Sequence, residues 1–586
     1  LIGAHIINLP EPQRINAIIL ASMPTATSAF VMATRMGGNG AIVNSGGFGQ
    51  INAVQALVLS GDASIGGTQR WDFRGPASAT LALNEYTLTK TGSNYIALAN
   101  ADVSLGNLVV NGGTLEVAGS TTSILAGVLA NTNNATITIN TGATLLLNGT
   151  SSFSFTRDLV MAGGTLISTN LASSIGSNAL LSAPTVMNTN GSDLTLTGVV
   201  SGSGLLSKVG GNTLNLNGIN TFTGGLTVSA GIVATNNDAS FGTGTVTLPS
   251  GGTGRVNLAG GFTYTNNFVI GSGAGQANVT GNVGLGLINH AGSGRATITG
   301  SLSVLNLTSA GGMLLGGALG NELVLAGPIS IAAGVDLTIR LGNVIMSGGG
   351  DVAGANIRLQ QGNLFAGANE GIPAHTKLEL GASGAAVLDL AGFNQTLSAL
   401  TKGAQAATVT NSMAGGVTST LSLDSTLGTS IFAGVLADGA SSKLAFAKVG
   451  DGVFTLTGAN TFTGATTVSS GTLELRSGGT VIPAGSTITI APAATLLMSN
   501  ANGNVTLAAP LAGTGTVRID NNISGAAGAR EASLTGNNIG FTGTLLLQPS
   551  GTFAANGTMR LMSATPSQLG GATVEVKDRD QLFLQN

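Results

Sequence analysis

The sequence predicts an all-β protein, a parallel β-solenoid in which short strands wind into stacked coils. Three observations predict it. First, a long unit occurs twice: residues 208–235 read KVGGNTLNLNGINTFTGGLTVSAGIVAT and residues 448–475 read KVGDGVFTLTGANTFTGATTVSSGTLEL. A unit recurring at fixed length marks a repeat architecture, whose copies bury their apolar faces by stacking. Second, the unit alternates with period two: Leu214 and Leu216 against Asn215 and Asn217, Leu226 and Val228 against Thr227 and Ser229. That is the pattern of a strand with one apolar and one polar face. Third, glycine supplies 92 of 586 residues and charged residues only 8%, against a usual charged share of about 25%. A hydrophobic share of 43% is too high for a disordered chain, so the polar faces must be built from Thr, Ser and Asn, which suit a pleated surface.

Along the chain, residues 1–36 stand apart. They hold Pro10, Pro12 and Pro24 and lack the glycine spacing, which predicts a cap or lead-in with a short helix near residues 12–22. From residue 37 to residue 586 the strand-and-glycine texture is continuous, and one uninterrupted solenoid is expected. NGGTLEV (111–117), TGATLLLNG (141–149), AGGTLIS (162–168) and GATVEV (571–576) are variants of one theme, a glycine corner followed by a short strand. Gly218, Gly224 and Gly231 punctuate the first long copy, and Gly458, Gly464 and Gly471 the second. Left-handed corner conformations, free of steric cost only for glycine, are expected there. LTGNNIGFTGTLLL (534–547) is a degenerate third copy with one extra residue before Phe541. The densest charge run, VEVKDRDQLFLQN (574–586), reads as a polar end cap. Coils of about 20–25 residues rising about 4.8 Å each would give roughly 25 coils, a single elongated rod on the order of 120 Å long.

Net charge of −3 and a pI near 5.6 exclude the basic field that nucleic acid or an anionic membrane surface would require. No apolar run reaches the roughly 18–20 residues of a membrane-spanning helix; the best, Ala17–Ala21, is far shorter. The start at Leu1, with no cluster of positive charge before that run, reads as a processed or internal boundary rather than a signal peptide. The chain has no cysteine, which excludes disulfides, thiolate metal sites and a cysteine nucleophile. It also suits a protein threaded unfolded through an oxidising compartment.

Catalytic constellations are sparse. His5, His290 and His375 are far apart and in no metal-binding spacing. Gly61, Asp62, Ala63 and Ser64 resemble a serine-protease nucleophile segment but lack glycine after the aspartate. Asp336, Asp351, Asp389 and Asp424 are isolated, whereas a polysaccharide-cleaving solenoid needs two or three carboxylates on one face, or calcium held by aspartates. Gly348–Asp351 is a single short match to calcium-binding repeats, and GSGAG at 271–275 is background in a glycine-rich chain. Lys208 and Lys448 occupy equivalent repeat positions and are expected to be structural. The most distinctive polar patch is Arg70, Trp71, Asp72, Phe73 and Arg74. In a strand, Arg70, Asp72 and Arg74 share one face and the two aromatics the other. One reading is an outward salt-bridged row over inward aromatics; the other is a sugar platform with Trp71 outward and Arg70, Asp72 and Arg74 binding hydroxyls.

The unit GxNTFTGxxTVSxGx[LV] resembles the passenger-associated repeat of bacterial autotransporters, and GDASIGGTQRWDFRG (61–75) with LALNEYTLTKTGSN (81–94) resembles a segment common in that family. The resemblance implies a right-handed parallel β-helix, secretion across the outer membrane and display at the bacterial cell surface, and it carries no catalytic residues to transfer. A run of about ten amphipathic membrane strands is not visible, so the sequence reads as a passenger portion. The expected function is therefore a non-enzymatic extracellular structural protein, a surface fibre or stalk without cofactor, whose partner is itself. The alternatives are an adhesin for surface glycans and a polysaccharide-active enzyme on the same fold.

Overall fold

The computed structural model describes residues 33–584 apart from 37–39, 45–46, 48, 105, 120–134, 150–153, 156, 272–287, 292–293, 306–312, 318–320, 351, 353, 427, 477–480, 500–504, 521–529, 549–558, 564–568 and 578–580. The helix expected near 12–22 and the lead-in up to residue 32 lie outside the described residues. The elements among the described residues are β-strands, and the sheets they form are parallel ladders, as the alternating texture requires. The chain divides into two compact units, Leu1–Val269 and Ile270–Asn586.

In the first unit three sheets run side by side up a coiled stack. One includes Trp71–Ala82, Tyr95–Ser104, Gly113–Gly119, Ala143–Gly149 and Thr165–Asn170; a second runs from Gly40–Asn44 to Val200–Gly202; a third includes Leu194–Leu196, Thr213–Leu216, Ile232–Thr235 and Arg255–Ala259. Each strand pairs in parallel with its counterpart one coil on, so like residues stack. Leu194, Leu214, Val233 and Val256 form one such column, and all four are fully buried. Leu145 and Leu147 sit between Leu115 and Val117 on one side and Leu166 and Ser168 on the other. Ala143–Gly149 alternates strictly between buried and half-buried residues, so each second side chain enters the core and its neighbour faces out.

The second unit is built the same way. Its longest ladder includes Asn356–Leu359, Thr376–Leu380, Gln395–Lys402, Thr418–Asp424, Lys443–Val449 and Thr466–Val468, and a sheet that begins at Thr429–Phe432 continues through Val453–Leu456 and Thr472–Arg476. Coil length varies: Leu214 lies one coil above Leu194, whereas Leu145 lies one coil above Leu115. The longer coil departs from the regular 20–25-residue spacing, and chain length between paired strands is tolerated at small entropic cost.

The corner glycines answer two different demands. Gly231 and Gly471 take positive φ, 69° and 63°, where L-residues with a β-carbon are strained. Gly218, Gly224, Gly458 and Gly464 are not left-handed, which corrects the expectation for these four. A β-carbon on Gly218 would land on the carbonyl oxygen of Gly198, and one on Gly458 on that of Gly434. On Gly224 and Gly464 it would strike the backbones of Gly204 and Leu444. Glycine is needed there because successive coils approach backbone to backbone.

Candidate functional site

The polar patch of the first unit grows out of the strand Trp71–Ala82. Trp71 and Phe73 point into the core, both fully buried, with ring centroids 5.3 Å apart. The indole Nε1 donates to the Gly66 carbonyl at 3.0 Å, which satisfies its one donor inside the core. Trp71 therefore cannot serve as an outward sugar platform, and that expectation is corrected: the large apolar ring has a dry, hydrogen-bonded place and no reason to leave it.

Arg70, Asp72 and Arg74 take the other face. Arg70 grips Asp72 through Nε and Nη2 at 3.1 and 3.0 Å, and Arg74 Nη2 lies 3.8 Å from the same carboxylate. Asp72 also accepts the backbone N–H of Ala97 at 3.2 Å, one coil on. Burial pushes the Asp72 acid upward, and Arg70 opposes that shift. The Arg70 guanidinium sits 4.7 Å over the ring of Tyr95 and 3.8 Å from Glu116. Burial, followed by its hydrogen bond to Glu116, holds the Tyr95 phenol above its ordinary range. Asn148 donates to Glu116 and Asn170 to Asn148. Arg70, Asp72 and Glu116 thus bind one another across neighbouring coils, while Arg74 stands at 3.8 Å from Asp72 and its Nε has no hydrogen-bond partner. Carboxylates held in this way by an arginine and by the backbone of the next coil are cladding on the sheet, not an acid–base pair poised for chemistry.

A second constellation is buried. Lys208 is fully inside the first unit, and its Nζ donates to the carbonyls of Val209, Gly210 and Ala230 at 3.1, 2.8 and 2.9 Å. Lys448, also fully buried, repeats this with Val449, Gly450 and Ser470 at 2.8, 2.6 and 3.4 Å. Each ammonium spends its three donors on the turn that follows it and on the next coil, so the structural role expected of the two lysines is what their contacts provide. Lys90, not singled out from the sequence, does the same with Thr91, Gly92 and Gly112 at 3.0, 3.0 and 2.9 Å. In all three the residue after the last acceptor is a left-handed glycine: Gly113, Gly231 and Gly471, with φ of 64°, 69° and 63°. KTGSN at 90–94 and NGGTL at 111–115 carry the signal, a lysine two residues before a glycine and a second glycine 23 on. Burial draws the ammonium groups of Lys90 and Lys208 down to about 8 and lowers that of Lys448.

The asparagine of NTFTG is a third fixture. Asn220 accepts the N–H of Val200 at 2.8 Å and donates to the carbonyl of Ser240 at 2.7 Å. Asn460 accepts from Leu436 at 2.8 Å and donates to Val481 at 2.6 Å. One amide thus staples three coils. Asn538 in the degenerate copy accepts from Leu511 at 2.9 Å, and Phe222, Phe462 and Phe541 are all buried beside these corners.

The remaining candidates are scattered over separate contacts. His375 Nε2 lies 3.5 Å from Asp424 Oδ2, His290 falls in the strand Ile288–Ala291, and His5 and Asp351 lie outside the described residues. Asp336 faces Arg358 at 3.6 Å, and Asp389 accepts the N–H groups of Ala391 and Ser412, each at 2.9 Å. Asp62 accepts the Thr87 N–H at 2.8 Å. Among the described residues no three His, Cys, Asp or Glu side chains converge in a way that could hold a metal ion, and no helix is long and apolar enough to cross a membrane.

The Passenger-associated-transport-repeat family matches residues 206–234 and 446–475. These two spans contain the Lys208 and Lys448 clasps with their closing glycines and the Asn220 and Asn460 staples. No curated protein and no solved structure matches the chain. Fold and matches together show a β-solenoid that carries two copies of the passenger-associated transport repeat.

Proposed function

We infer that this protein is a non-enzymatic structural element of a secreted or cell-surface assembly, a β-solenoid scaffold or stalk whose partner is a further copy of itself. The observation that carries this reading is where the polar side chains go. Lys90, Lys208 and Lys448 bind backbone carbonyls, Asn220 and Asn460 bind neighbouring coils, and the charges around Arg70 bind one another. Chemistry that an enzyme would aim at a substrate is spent here on holding coil to coil. The passenger-associated repeat supports the secreted or surface location. The architecture supports self-association, because a coil presents strand edges on both sides, and an edge left open is a template for another strand.

Negative-stain electron microscopy of the purified chain across a concentration series tests this. Filaments of uniform width that lengthen with concentration are the expected result. Isolated particles at every concentration would refute self-assembly and leave a monomeric display scaffold.

A further inference from the structure

Each of the three buried lysines ends in a cage of carbonyl oxygens that the backbone builds without it. Two oxygens come from consecutive residues: Thr91 and Gly92, Val209 and Gly210, Val449 and Gly450. Consecutive carbonyls of an extended strand point to opposite edges. They converge here because the second residue is a left-handed glycine in every copy, with φ of 72°, 83° and 76°. The third oxygen, from Gly112, Ala230 or Ser470, belongs to the residue before the left-handed glycine of the next coil. A backbone bond that does not use the lysine side chain sets one turn above the other. Asn111 N–H donates to the carbonyl of Lys90 at 2.8 Å, Ser229 to that of Lys208 at 2.9 Å and Ser469 to that of Lys448 at 2.9 Å.

The stem of each lysine lies in a dry slot that leads to this cage. Lys90 is stacked between Ile65 and Val110, Lys208 between Met187 and Val228, and Lys448 between Leu423 and Val468. All six neighbours are buried in the core. The backbone carbonyls therefore receive every donor of each ammonium. Three acceptors match the three donors of a primary ammonium. A calcium ion takes about 6–8 oxygens, and a guanidinium presents its donors in a planar fork that cannot close on three convergent carbonyls.

We propose that the paired left-handed turns form a preorganised binding site for a primary alkylammonium ion, and that the lysine is its tethered ligand. Truncating the lysine to alanine leaves the cage standing and opens the slot, which then takes a free primary ammonium on a short unbranched chain. The apolar chain fills the place of the stem, and the three N–H groups replace those of Nζ. This goes beyond the structural reading and does not depend on self-assembly, because it concerns sites enclosed within one chain.

The test is urea unfolding of the full chain at pH 7, parent against Lys208→Ala, with n-propylammonium, n-propanol or tetramethylammonium added at equal concentration. n-Propylammonium replaces the atoms that the substitution removes. It should raise the midpoint of Lys208→Ala beyond any change in the parent, and the rise should follow the logarithm of its concentration once the site fills. n-Propanol, with one donor and no charge, and tetramethylammonium, with charge and no donor, should give no such rise. Lys208→Met, whose stem still fills the slot, should not respond to n-propylammonium, and Lys448→Ala should respond as Lys208→Ala does. Where Lys208→Ala does not fold unaided, its refolding yield with and without n-propylammonium reads the same binding. An equal rise with n-propanol would mean that filling a cavity is all that occurs. That result, no rise beyond the parent, or an equal rise in Lys208→Met would each overturn the proposal.

Discussion

A β-carbon on residue 231 would stand 2.7 Å from the Nζ of Lys208. The glycine and the lysine, 23 positions apart in sequence, form one device. The glycine's left-handed turn leaves the space into which the ammonium reaches, and the ammonium ties the carbonyl before that glycine to the turn one coil back. Gly231→Ala should therefore be costlier than a surface glycine-to-alanine change, because it adds a steric clash to the strain of a positive φ. A loss of about 1–3 kcal/mol should appear in urea unfolding. Gly251, left-handed with open space around it, is the control that carries the strain alone.

Replacing Lys208 by methionine keeps the packed stem and removes the three donors. Carbonyls of Val209, Gly210 and Ala230 then lose a partner inside the coil stack, and a loss of about 1–3 kcal/mol is expected. Hydrogen exchange should report it locally, with faster exchange in strands 206–209 and 226–228 than in strands 376–380. A variant as stable as the parent would show that the carbonyls are adequately satisfied by the backbone alone.

The same lysines set a pH dependence. Burial lowers Lys90 and Lys208 from 10.5 to about 8 in the folded chain, so between those values the unfolded chain holds protons that the folded chain has lost. Unfolding then takes up protons, and stability rises with pH across the window. The gain is complete above 10.5, is lost as pH falls through about 8 and is constant below. Chemical denaturation at pH 7.5 and 9.5 should show a higher midpoint at the alkaline pH, below the range in which tyrosines ionise. The rise should shrink in Lys208→Met. A midpoint that falls between the two pH values would contradict the assignment.

Trp71→Ala tests the inward placement. Removing a fully buried indole should cost about 3–5 kcal/mol in urea unfolding. Unchanged stability would restore the outward platform.

The sequence made the strands legible because the core is a column of alternating aliphatics, and period two is visible wherever Leu214 and Leu216 flank an asparagine. It made the repeat legible because Lys208 to Gly231 and Lys448 to Gly471 match without a gap. It hid the copy at Lys90, where the stretch between Gly92 and Gly112 lacks the NTFTG corner and only the two ends of the device remain. It misdirected on four corner glycines, since a sequence shows that a β-carbon is missing and not whether conformation or space demands it. The register shift between Thr376 and Lys377, which pair with Leu397 and Ala399, was invisible, because register belongs to pairs of strands rather than to either one.

The asparagine staple offers the sharpest remaining test, because one substitution separates its two hydrogen bonds. In Asn460→Asp the carboxyl can still accept from the Leu436 N–H but, when ionised, puts negative charge against the Val481 carbonyl that Nδ2 now reaches at 2.6 Å. Residue 460 is 5% exposed, so the variant should favour the protonated acid, whose O–H can replace the lost donor. Its folded pKa should lie above the unfolded value near 4. Stability relative to the parent is then best at low pH and declines as pH rises through the unfolded pKa towards the folded one, reaching its full loss above both. Urea midpoints of parent and variant should nearly coincide at pH 4 and separate at pH 7. An equal gap at both would mean that the donor to Val481 carries none of the staple's strength, and that the Leu436 bond alone holds the corner.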